Sequence, residues 1–412
     1  MTQVKEIPLR HLVQCLDGRR IPLNQAERAD IPGEIPYWGS GGVVGTVGKH
    51  LFDEPLVLLG EDGAPFYDRD RDVAFKVSGK TWVNNHIHAL RPVSGVDHQY
   101  LTYALNNVDY SLYISGSTRD KLTQQDMLRI LVPMWPLKRQ HAITRTLDLE
   151  TAEIDDLIGK QERLIELLAE KRQAVITKAV TKGLDAYAPT KPSGIPWLGS
   201  IPAHWKASRL KFSLKRIEQG VSPQADAIPA SSDSWGVLKS GCVNGGIFKE
   251  DENKQLPIDF AIDPCIVVAV GDLLVSRASG SPKLVGSAAR VRSLESKLIL
   301  SDKTFRFVPG QEIDADFLEC VLNSQPYRKQ VEGSISGAEG LANNISTTAL
   351  KNIAFALPPR SEQLTISEEL RHRVDALLSL ESKSTRAVQL LRERRSALIS
   401  AAVTGRLDYD LD

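Results

Sequence analysis

Leu167-Leu168-Ala169-Glu170-Lys171-Arg172-Gln173-Ala174-Val175-Ile176-Thr177-Lys178-Ala179-Val180-Thr181-Lys182-Gly183-Leu184-Asp185 decides the reading of this chain, because it comes back. At 223 residues' distance the chain reads Leu390-Leu391-Arg392-Glu393-Arg394-Arg395-Ser396-Ala397-Leu398-Ile399-Ser400-Ala401-Ala402-Val403-Thr404-Gly405-Arg406-Leu407-Asp408, and eleven of the nineteen positions are identical without a gap. The period is too long for a solenoid, whose units run to about 20–50 residues. It marks two large units, each closing on the same helix, and hence internal pseudo-twofold symmetry. A nearly twofold partner such as DNA suits such a molecule.

Outward from this stretch, both helical patterns are long and free of proline, at about 138–182 and 361–404. Each unbroken helix would measure ~65 Å at 1.5 Å per residue. Gly159 is the one interior weakness of the first. Leu147, Ile154, Gln161, Leu168 and Val175 lie seven apart, and the same frame shifted by 223 gives Leu370, Leu377, Ser384, Leu391 and Leu398. Strict sevens favour pairing of the two helices with each other. Gln161 and Ser384 break both stripes at the same place, either as register-setting polar residues or as marks of a wide, solvent-facing spot.

A strand-rich globular segment precedes each helix, at 1–137 and 206–360. Pro55–Leu59, Val73–Val77, Cys265–Val270, Asp272–Ser276 and Thr304–Val308 read as strands, bounded by turns such as Gly60-Glu61-Asp62-Gly63 and Pro309-Gly310. His98–Val108 and Ala315–Ser324 have the apolar spacing of short helices. Pro133, Pro136, Pro358 and Pro359 end the last strand of each segment and re-aim the chain. Between the halves, the prolines and glycines of Thr190–Trp205 exclude regular structure, and its tryptophans pin it to a surface. The fold class is therefore α+β. Two strand-rich domains alternate with two long antiparallel, coiled-coil-like helices: 1–137, 138–185, a linker at 186–205, 206–360 and 361–408.

The chain has 412 residues and no net charge. Residues 1–137 carry 14 Lys and Arg against 16 Asp and Glu, and residues 206–360 carry 19 against 17. Positive charge for nucleic acid must then be local or come from partners. No apolar run is long enough to span a bilayer, and Met1–Glu6 has no secretory apolar stretch. Cys15, Cys242, Cys265 and Cys320 are scattered, as buried thiols of a reducing compartment are.

Catalytic signatures are missing. Gly41-Gly42-Val43-Val44-Gly45-Thr46-Val47-Gly48-Lys49-His50 fails as a phosphate loop, since Val43 stands where the first glycine belongs and His50 where Ser or Thr belongs. His86 and His88 alternate on a strand without a third ligand, so satisfied strand histidines are favoured over a metal site. Glu61 and Asp62 read as turn-formers. There is no GxSxG or HExxH, no Gly-rich nucleotide fingerprint and no amino-methylation signature. What is present suits DNA readout. Ser117, Thr118, Arg119 and Lys121 share one loop. Arg277, Ser279, Ser281 and Lys283 share another, and Asn343 and Asn344 close a Gly-rich stretch. Arg and Asn read base edges, while Ser, Thr and loop amides hold phosphates. Lys206, Arg209 and Lys211, in a run without an acid, suit backbone contact.

In this order the motifs resemble the specificity subunit of a type I restriction–modification system. The resemblance rests on Tyr37–Gly42, Leu58–Pro65, Trp82-Val83-Asn84-Asn85-His86, Gly116–Thr118 with Lys121–Thr123, Trp197–Trp205, Ser276–Val285 and Leu357–Gln363, and covers almost the whole chain. Two departures stand out. The Trp-Leu-Gly…Pro-x-His-Trp lead-in precedes only the second domain, and Pro136-Leu137-Lys138-Arg139-Gln140 lacks the usual second proline and acid. A shortened start is one reading of the first. The resemblance implies a non-catalytic, cytoplasmic protein whose two target-recognition domains each read half of a split, asymmetric site on double-stranded DNA. Ser40, Asn84, Asn85 and His86 join the contact candidates. The helices would set the gap and dock two modification subunits. It implies no cofactor here: S-adenosylmethionine, ATP and Mg serve the modification and restriction subunits. Two rival readings are a helical adaptor that binds only proteins, and a stand-alone methyltransferase or nuclease.

Overall fold

In the computed structural model, residues 4–114, 120–231, 233–336 and 343–407 are described. The chain forms two compact units, Met1–Leu164 with Lys383–Asp412, and Ile165–Ser382. Each contains one end of each long helix, Leu137–Lys182 and Arg360–Thr404.

In the first unit, Lys5–Pro8 pairs antiparallel with Leu131–Met134. A four-stranded antiparallel sheet runs in the order Val13–Cys15, Ile87–Pro92, Leu56–Gly60, Ala74–Val77, and a second runs Gly42–Val47, Ile35–Gly39, Lys80–Val83, Phe52–Asp53. Leu56–Gly60 is buried along its whole length because both faces of its sheet are covered, which is why it reads as an unbroken apolar run. Val57 and Leu59 enter the core that contains helix His98–Asn106, Ile143, Leu147, Ile399 and Val403, while Leu56 and Leu58 pack with Phe52, Val83 and Ile87.

The second unit repeats the plan. Lys206–Arg209 pairs with Ala354–Leu357. The sheet is Leu214–Gln219, Thr304–Pro309, Leu273–Ser276, Ala288–Arg290, and a three-stranded sheet is centred on Trp235–Leu238. Leu273 and Val275 point to the core shared with Phe317, Ile366 and Leu370, and Leu274 points to the core around Leu298 and Val237.

The helices pair within each unit, and they run antiparallel. In the first, Arg395 faces Asp155 at 3.0 Å and Arg392 faces Glu162 at 3.0 Å, so rising numbers meet falling ones. In the second, Arg172 lies 3.8 Å from Glu381, and Ile176 and Val180 share a core with Ile366 and Leu370. On the heptad, Leu147, Ile154, Leu168, Leu370, Leu377 and Ser384 are buried, and Gln161, Val175, Leu391 and Leu398 are half-buried. The helix continues through exposed Gly159.

Two sequence expectations are corrected. Cys265–Val270 is not a strand: Asp263 accepts a hydrogen bond from the Cys265 amide and Pro264 starts a short 3-10 turn, Pro264–Ile266, leaving Val267 a single bridge to Ile299. The linker is not free of regular structure either, since Thr190–Pro192 pairs with Ser200–Pro202 in a small hairpin. Pro192 and Pro202 stand at its two ends, where proline is tolerated. Trp205 is fully buried, whereas Trp197 is exposed.

Candidate nucleic-acid interface

In the first unit the candidates gather around the turn Gly60–Gly63. The strand ending at Gly60 passes so close to the Ile35–Val47 hairpin that a Cβ there would fall 2.9 Å from the Ser40 carbonyl oxygen. Only glycine permits that approach. The Glu61 and Asp62 amides both donate to the His86 carbonyl (2.9 and 3.3 Å), and the Leu122 amide donates to the Glu61 carbonyl at 2.8 Å. Asp62 and Lys121 form a bridge. Asn84 accepts from the His86 amide at 2.6 Å, and His86 lies 3.2 Å from the Asp62 carboxylate. Asn85 is exposed. Ser40, Asn84, Asn85, His86 and Lys121 are thereby brought to one surface. Ser117, Thr118 and Arg119 lie outside the described residues.

Beneath this surface is an ionic network. Arg20 donates to Glu61 at 2.6 Å and to the Ile87 carbonyl at 2.8 Å, and lies 3.3 Å from Asp17. Lys121, half exposed, pairs with the other oxygen of Glu61 at 3.2 Å. His88, with no exposed surface, lies between Asp17 (2.6 Å) and the Leu122 carbonyl (3.0 Å). Burial works to raise the Asp17 carboxyl. The His88 hydrogen bond and charge, the Ala89 amide and Arg20 outweigh it and hold Asp17 below its ordinary value. Asp17, Glu61 and His88 are grouped closely enough to surround a cation. Arg20 already lies against both carboxylates, so charge is balanced without a metal.

The second unit achieves a similar gathering with backbone. Ala278–Ser279 pairs with Asn343–Asn344, the Ile345 amide donates to the Arg277 carbonyl at 3.0 Å, and the Arg277 amide donates to Lys303 at 2.8 Å. Arg277, half-buried, donates to the Asp302 carbonyl at 3.1 Å. Ser279 accepts from the Ser281 amide (3.3 Å), Asn343 donates to Gly280 (3.3 Å), and Lys283 is exposed. In both units the chain then enters a short helix through a hydroxyl cap: Thr123 accepts from the Asp126 amide and Ser346 from the Ala349 amide. Lys206, Arg209 and Lys211 are exposed on other elements. Arg209 contacts Asn352, at the far end of the helix that Ser346 begins.

The sequence reading named neither Asp17 nor Arg20 and took Glu61 for a turn residue. The only local signal is an acid pair between two glycines. The residues that explain it lie 41–60 positions away along the chain.

Residues 1–167 match the family described as "Type I restriction modification DNA specificity domain". The EcoEI specificity subunit of Escherichia coli is 32% identical over 205 residues, 49% of this chain, and the match spans only 34% of that relative's length. The MjaVIII specificity subunit of Methanocaldococcus jannaschii is 24% identical over 76% of this chain and 71% of its own. A solved chain from work on complex assembly and conformational transition of the type I R-M system aligns over 99% of both chains, with a TM-score of 0.67 and 14% identity, and so shares the fold. Residues 1–167 thus match the type I specificity domain, and the chain is similar to type I restriction–modification specificity subunits.

Proposed function

We propose that this chain is the non-catalytic DNA-reading subunit of a type I restriction–modification complex. Each recognition domain, at 1–137 and 206–360, reads one half of a bipartite, asymmetric site on double-stranded DNA. The helical regions 138–185 and 361–408 set the gap and dock two modification subunits, and residues 186–205 link the halves. Adenine methylation with S-adenosylmethionine, and ATP- and Mg-dependent cleavage, reside in the modification and restriction subunits. The complex acts in the cytoplasm. In keeping with that site, none of the described helices is long and apolar enough to cross a membrane.

One observation carries this reading: the same fold plan occurs twice, each time attached to a paired-helix end, while the loops at the two candidate surfaces differ in residues and in how they are held. Two readers of one build with different contact residues suit two dissimilar half-sites. The test is to map methyladenine in the host genome with and without this chain, where a split motif is expected to vanish. Exchange of residues 206–360 for the matching segment of another family member should change one half of the motif. Change in both halves would refute the division of labour. Pure chain incubated with DNA and labelled methyl donor should transfer no label.

A further inference from the structure

The two units hold their candidate reading segments by different means. In the second, a backbone ladder joins Ala278–Ser279 to Asn343–Asn344. In the first, the segment Asp120–Leu122 is tied to the turn Glu61–Gly63 by single backbone bonds, Leu122 to Glu61 and Gly63 to Asp120. The remaining restraint there comes from side chains. His88 reaches the Leu122 carbonyl, and Glu61 reaches Lys121.

The chemistry of His88 is fixed by its partners. A carbonyl only accepts, so Nε2–H donates to Leu122. Nδ1 faces the Asp17 carboxylate at 2.6 Å. The Ala89 amide and Arg20 occupy the other faces of Asp17, so the carboxylate that orients the ring is itself fixed from three sides. Charged groups buried in this way cost desolvation and are poor devices for stability alone, but they define one geometry sharply. From Asp17 the network ends at the surface on Lys121, one of the contact candidates.

We propose that His88, oriented by Asp17, is a positioning residue for the first half-site: it sets the Leu122 carbonyl and with it the placement of Lys121 beside Asp62. This rests on the DNA-reading function proposed above. It assigns specificity at one half-site to a buried side chain that touches no DNA.

The test uses the full complex, reconstituted with its modification subunits, in a selection from randomised DNA duplexes. Wild type is compared with His88→Ala and Asp17→Asn. Both variants are expected to lose about tenfold discrimination at the half-site read by residues 1–137, the order of one lost base contact. Discrimination at the other half-site is expected to stay unchanged. A merely structural role would weaken binding at both halves together, and that result would overturn the inference. So would unchanged discrimination at the first half. If His88→Ala does not assemble, Asp17→Asn, nearly isosteric, is judged by the same criterion. A wild-type complex with no sequence preference would sink the DNA-reading function itself, which the wild-type arm reports separately.

Discussion

Gln140 and Gln363, 223 residues apart, make the same three hydrogen bonds, each within its own unit. Gln140 accepts from the Asp97 amide at 2.8 Å and donates to the Gly95 and Trp135 carbonyls at 3.0 and 2.7 Å. Gln363 accepts from Asp314 at 2.8 Å and donates to Glu312 and Pro358 at 3.0 and 2.9 Å. Both are buried, and both tie the start of a long helix to the residue that caps the unit's short helix. Gln140→Ala and Gln363→Ala should each cost about 1–3 kcal/mol, because buried amides and carbonyls lose their partner. Denaturant melts of the two variants check this, and a cost at only one site would deny the equivalence.

Gly405 and Gly183 end the two long helices with φ of +76° and +75°, but their surroundings differ. A Cβ on Gly405 would lie 2.4 Å from Trp135 Cζ2, a ring held by its hydrogen bond to the Val403 carbonyl, whereas on Gly183 the Trp205 ring is 3.3 Å away. Gly405→Ala should therefore cost more than Gly183→Ala, by about 1–3 kcal/mol of overpacking added to a shared backbone penalty. Thermal melts of the pair give the difference directly.

The long helices and the heptad frame were legible because they rest on local periodicity, and the division into two halves because the helix end repeats 223 residues on. Half of the seam was not. Thr151, Ile158, Ile165 and Arg172, with Val374, Glu381, Val388 and Arg395, continue the frame at alternate spacings of three and four, and all are at least half-buried. Charged residues hide that part of the stripe, and ion pairs such as Arg172–Glu381 and Arg395–Asp155 accommodate them. The apolar run at Cys265 misled because four to six apolar residues fit a strand, a turn or a buried helix alike. The candidate surface was visible in the sequence only in pieces. Its network joins residues 17, 20, 61, 88 and 121, and no periodicity links positions brought together by sheet topology.

Gly159 is exposed, lies inside a 46-residue helix, and has open space where a Cβ would go. Gly159→Ala should stabilise by about 0.5–1 kcal/mol, through the lower backbone entropy of the unfolded chain. A raised denaturation midpoint with an unchanged slope is the expected signature. A fall would mean that the helix needs a weak point there.

Asp17 gives the first unit an acid-sensitive bond set. Its carboxyl titrates below the ordinary value of 3.8 in the folded protein. Its contribution is therefore complete above the unfolded value and is lost as pH falls through the folded one. Melting temperature should drop on acidification below about pH 4, and Asp17→Asn should start lower at neutral pH and drop less steeply. Parallel acid limbs in the two proteins would assign the loss to other carboxylates.

If the paired helices set the gap between half-sites, their length should be readable in DNA. Seven residues removed from the centre of each long helix keep the heptad frame, so the seam can re-form with Leu147, Ile154, Leu370 and Leu377 still facing inward. The deletion shortens the helices by about 10 Å, the length of about three base pairs. Rotation of one half-site about the duplex axis accompanies the loss, so affinity should fall even for the best new spacing. The half-site sequences should remain, because neither reading surface is touched. Methylation mapping with the shortened chain therefore should return the same two half-motifs around a smaller gap. An unchanged gap would show that something other than the helices sets the spacing, and altered half-motifs would show that reading and spacing are not separable.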